Sequence, residues 1–88
     1  MLLMKQLNQY GLVRIVQLFQ TPDYYDGWRL NRRPPLIGDI GTITDILRAP
    51  GLPEHYIVES SDGEGMTIWL GDFEAEELEP IDATEEMR

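Results

Sequence analysis

Glycine, proline and aspartate interrupt this chain so often that short β-strands fit between the breaks and a long helix does not. The first apolar run, Leu12 to Phe19, carries Leu12, Val13, Ile15, Val16, Leu18 and Phe19, with Arg14 and Gln17 expected at the solvent. A second run spans Ile40 to Arg48. Its Ile40, Ile43 and Ile46 stand three apart, a spacing that strict alternation cannot bring to one face. A β-bulge or bend near Gly41 is expected to reconcile them.

Further on, Ala49-Pro50-Gly51-Leu52-Pro53 reads as a turn, and His55 to Glu59 as a strand with Tyr56 and Val58 on one face. The segment Ser61 to Gly65 is a tight connection into a fourth strand, Met66 to Leu70, so these two strands read as a hairpin. Met66, Ile68 and Leu70 share one face there, Thr67 and Trp69 the other. Gly71-Asp72-Phe73 is expected to turn the chain, Glu74 to Glu77 to make one helical turn, and Leu78 to Ile81 to close the sheet. The pattern therefore predicts an all-β fold, a small five-stranded closed barrel with a long first loop and at most one short helical turn. Closure suits so small a domain because it removes edge strands. Residues 1–10 form an N-terminal extension that fits a helical turn, an extra strand or a loose end. Residues 11–82 make the barrel, and residues 83–88 a flexible acidic tail. Val13, Ile15, Ile43, Tyr56, Val58, Ile68 and Leu78 are expected in the core.

Several function classes are disfavoured by composition. The chain has no Cys, so a disulfide framework and a thiolate metal site are both excluded. No apolar run is long enough for a membrane helix, and MLLMKQLNQYG makes a poor signal peptide, which gives a cytoplasmic expectation. Net charge is −9, unevenly spread: residues 1–53 carry six basic and four acidic side chains, residues 54–88 one basic and twelve acidic. So acidic a balance disfavours general nucleic-acid binding, which needs a broad positive footprint.

Gly38-Asp39-Ile40-Gly41-Thr42-Ile43, followed by Tyr56-Ile57-Val58-Glu59, Asp62-Gly63 and Glu77-Leu78, resembles a family of short bacterial proteins of unknown function with the pattern GDxGTI, YxVE, DG and ExL. The resemblance covers roughly residues 12–82 and implies an SH3-like barrel. The GDxGT turn is also similar to KOW-type modules and to the barrel of the nitrile hydratase β-subunit. These motifs are mostly structural, so the likeness implies a fold and little about activity. The long first loop and the first ten residues depart from the family pattern.

No constellation carries chemistry. His55 is the sole histidine and sits beside a Pro-rich turn, which suits a surface or capping role; Ser60 and Ser61 have no activating neighbour in the sequence. Asp72, Glu74, Glu76 and Glu77 cluster without the alternating ligands and central Gly of a calcium loop. The expectation is a protein that is not an enzyme and needs no cofactor or metal. The first loop, Gln20 to Asp39, is the informative part, because Tyr24, Tyr25, Trp28, Arg29, Arg32 and Arg33 are residue types enriched at binding hot spots. Trp69 is expected to extend that platform. A ring that folds back to cap the barrel is the competing role for Trp28 or one tyrosine. The leading expectation is a protein-protein interaction module, self-association included. The alternatives are RNA or single-stranded nucleic-acid binding through the same loop, and an acidic inhibitor of a basic partner.

Overall fold

Short alternating runs fold here into five strands: β1 (Leu12–Ile15), β2 (Ile40–Leu47), β3 (His55–Ser61), β4 (Thr67–Glu74) and β5 (Leu78–Pro80). The computed structural model describes residues 6–81. All strand pairs are antiparallel, in the sheet order β4-β3-β2-β1-β5. The protein is thus all-β, with 3-10 turns as its only helical elements among the described residues. Among those residues no helix is long and apolar enough to cross a membrane.

The sheet bends around one core. Phe73 and Trp69 on edge strand β4 share a buried cluster with Leu78 on the opposite edge, β5, and with Val13, Ile15, Ile43, Tyr56, Val58 and Tyr25. Glycine permits the tightest approach between strands. A Cβ on Gly41 would lie 2.7 Å from Cγ1 of Val58 and 2.8 Å from the carbonyl oxygen of Glu59, so no other residue fits without moving β3. Before β1, the Tyr10 amide donates to the Ile43 carbonyl at 2.6 Å and Leu7 packs against the core. The extension is therefore laid on the sheet from Leu7 onward; residues 1–5 and the tail 83–88 lie outside the described residues.

Six of the seven expected core residues are buried, and Ile68 is partly so. The reason lies in β4, which continues through Gly71-Asp72-Phe73 rather than turning there. A register shift between Ser60 and Ser61 sets its phase, so Trp69, Gly71 and Phe73 point inward and Met66 is exposed. In β2 the irregularity falls between Ile43 and Asp45, later than expected. It brings Ile43 and Ile46 to the core side and leaves Ile40, ahead of it, in the opposite phase. β1 ends at Ile15, four residues early, because Val16 and Gln17 donate instead to the Glu77 carbonyl. Among the described residues two 3-10 turns occur rather than one. The expected turn is Ala75–Glu77; the other, Pro22–Asp26, starts inside the first loop with Pro at its beginning and Asp23 in its first turn.

Candidate functional site

The first loop looks long and unsupported in sequence, yet it is pinned at three places. The first is Tyr25, buried on the 3-10 turn, whose ring stacks on Phe73 at 4.9 Å between centroids. Its hydroxyl donates to Oε2 of Glu77 and accepts the Gln20 amide at 3.0 Å. Glu77 is itself buried, and it also accepts the Phe19 amide at 2.9 Å and the Glu74 amide at 2.8 Å. Burial, and then the hydrogen bond to Glu77, push the Tyr25 phenol from 10.0 up to about 12. The neutral ring is therefore favoured in the folded state. Its contribution to stability is complete below pH 10 and is lost as the pH rises toward about 12. The urea midpoint should fall across that window in the wild type and change less there in Tyr25→Phe. Equal pH dependence in the two proteins would overturn the assignment.

The second pin is Asn31. Its side-chain amide donates to the Tyr25 carbonyl at 3.1 Å, while its Oδ1 accepts the Leu70 amide at 2.8 Å. Beside it, the Arg32 amide donates to the Ile68 carbonyl at 2.8 Å, so this stretch of loop covers the outer edge of β4. Asp39 is the third pin. Its carboxylate takes both terminal nitrogens of Arg33, at 2.7 and 3.2 Å, the Leu36 amide at 2.9 Å and Nε1–H of Trp69 at 2.8 Å. Burial alone would raise this carboxyl; the Arg33, Leu36 and Trp69 hydrogen bonds outweigh it and hold the group below its ordinary range.

These pins divide the expected binding residues. Tyr25 and Trp69 are core residues, 1% and 0% exposed, and neither can touch a partner. Arg33 is spent on Asp39, and Arg32 bonds the Thr67 carbonyl at 3.0 Å and pairs with Asp62 at 3.0 Å. Two of the three loop arginines, Arg32 and Arg33, are thus paired with carboxylates of the chain itself. Arg29 stands at the loop tip with φ 58° and makes no ion pair with another described residue. Tyr24 and Trp28 remain 46% and 49% exposed, so Trp28 does not bury itself as a cap.

Tyr24, Gly27, Trp28 and Asp72 line a hollow of about 260 Å³. Asp72 also borders a second hollow, of about 340 Å³, formed with Leu47, Leu52, Pro53 and His55. Nδ1 of His55 lies 2.7 Å from Oδ1 of Asp72; a carboxylate only accepts, so Nδ1 carries the proton. Around Tyr24, burial and then the negative charges of Asp72, Glu74 and Glu77 raise the phenol. On the far side, Arg48 is held by Glu54 at 2.6 Å.

The second hollow was not foreseen from sequence. In the sequence Asp72 reads as part of a turn, although the alternation Trp69, Gly71, Phe73 implies an outward Asp72 once the strand is carried on. Leu47 and Leu52, exposed either side of a Pro-Gly turn, were the other readable signal. Among the described residues no group of three His, Asp or Glu is arranged to hold a metal ion. Set against family models, curated proteins and solved structures, the chain has no match.

Proposed function

We propose that this chain is a non-catalytic interaction module that binds a partner protein through Tyr24, Trp28 and the groove continuing past Asp72 to Leu52. One observation carries the reading. Two aromatic rings stay half exposed on a loop that buried Tyr25, Glu77 and Trp69 and partly buried Asp39 hold in place. A loop so anchored presents its rings without losing much conformational freedom on binding, which is how rigid aromatics become hot spots. The groove adds apolar area beside them, since Leu47 and Leu52 are 46% and 67% exposed.

Photo-crosslinking in cells of the source organism tests this. A photoreactive amino acid at position 28 is expected to capture one or a few defined proteins. The same residue at position 64, in the exposed β3–β4 turn, is expected to capture none of them. Capture of nucleic acid alone from position 28, or the same products from both positions, would sink the proposal.

A further inference from the structure

The two hollows that meet at Asp72 differ in chemistry, and the difference specifies what fits. We infer that the groove takes a short segment of a partner protein with a Lys or Arg side chain between Tyr24, Trp28 and Asp72, and a neighbouring aliphatic side chain or proline against Leu47, Leu52 and Pro53. This rests on the interaction-module reading above and names the chemistry of its partner.

Charge complementarity selects the cation. The faces of Trp and Tyr attract an ammonium or guanidinium group, and the attraction grows when the site is partly dry. Asp72 supplies the counter-charge. Its Oδ1 is fixed by His55, while Oδ2 has no hydrogen-bond partner among the described residues. His55 thereby holds one oxygen of a carboxylate that lines the aromatic hollow and leaves the other for a ligand. Glu74, on the same strand, adds negative potential at Tyr24. Among the described residues no basic side chain lines the aromatic hollow, and Arg48, which lines the apolar one, is occupied by Glu54. A phosphate would be repelled here. A second copy is disfavoured too, because each copy brings a net charge of −9.

Past Asp72 the lining turns apolar. Leu47, Ala49, Leu52 and Pro53 supply most of the lining, with Arg48 held by Glu54 and His55 held by Asp72 at its rim, which suits an aliphatic side chain or a proline. Two adjoining subsites of opposite character fix the direction of a bound segment as well as its composition.

A random-peptide display library selected on the folded protein, followed by fluorescence titration, tests the inference. Trp69 is fully buried and Trp28 half exposed, so binding is read mainly through Trp28. Selected peptides are expected to share a Lys or Arg next to Leu, Ile, Val or Pro. Replacing that basic residue in the peptide by norleucine should weaken binding about tenfold or more, as loss of a charge-assisted contact does. Asp72→Asn keeps an acceptor for His55 and should weaken binding similarly, and added salt should weaken the wild-type complex. Peptides that need Trp28 but carry no basic residue, or that bind Asp72→Asn as tightly, overturn the inference and leave the module reading standing. Failure to recover any peptide that depends on Trp28 also overturns it, and the module reading is then decided by the crosslinking at position 28.

Discussion

Glu77→Leu is expected to leave the protein largely unfolded under conditions where the wild type is folded. The change makes this buried position apolar at similar size, and the cost comes from what Glu77 accepts. The Tyr25 hydroxyl and the amides of Phe19 and Glu74 all donate to its two oxygens. Leucine leaves the three without that acceptor, and a buried donor without a partner costs about 1–3 kcal/mol. The sum, roughly 3 kcal/mol or more, compares with about 4–13 kcal/mol for the whole stability of a chain this long. Glu77→Gln keeps one acceptor oxygen and turns the other into a donor, so it should fall between the two. Urea midpoints of the three proteins check this. A leucine variant as stable as the wild type would mean that these donors reach water, and that Glu77 does not tie the first loop to the last turn.

That residue also shows where sequence reading reaches its limit. In the sequence Glu77 is one of several acids after Phe73, and a run of acids reads as solvated surface. The fold makes it a core residue, because Glu74 takes an extended conformation and starts a one-turn 3-10 helix with reciprocal capping between Glu74 and Glu77. The cap is local and readable. The partner Tyr25 lies 52 residues away, and no local pattern pairs them. Arg32 with Asp62, 30 positions apart, has the same character. Residue type marked the loop as a surface; only tertiary pairing shows which of its side chains remain free.

The strands were readable for the opposite reason. β-branched residues in alternation, and breaks at Gly and Pro, are local signals, and they located all five strands along the chain. What failed was phase. Ile40, Ile43 and Ile46 demanded an irregularity, and one exists, but its position after Ile43 depends on how β2 meets β3. In β4, three aliphatic residues outvoted one tryptophan. The larger ring wins because Gly71, two residues on, leaves space that Phe73 and the main chain of Tyr25 occupy. An added Cβ there would sit 3.0 Å from the Phe73 ring and 3.2 Å from the Tyr25 carbonyl oxygen.

Trp69→Ala should accordingly be among the most damaging single changes in the molecule. The indole is fully buried, its ring centroid 5.6 Å from that of Phe73. Truncating such a side chain typically costs about 3–5 kcal/mol through lost burial and the cavity left behind. Here the damage extends further, since Nε1–H is one of the donors that fix Asp39, and Asp39 in turn holds Arg33 and Leu36. Trp69→Phe separates the two effects: it restores much of the volume but not the donor. It should recover most of the midpoint in urea while leaving the amide of Leu36 exchanging faster with solvent than in the wild type. Were Trp69 a contact residue on an outer face, Trp69→Ala would change stability by only a few tenths of a kcal/mol, about the usual surface effect. The same pair of proteins thus measures the phase of β4, and with it which way Asp72 faces and whether the two hollows meet at that residue.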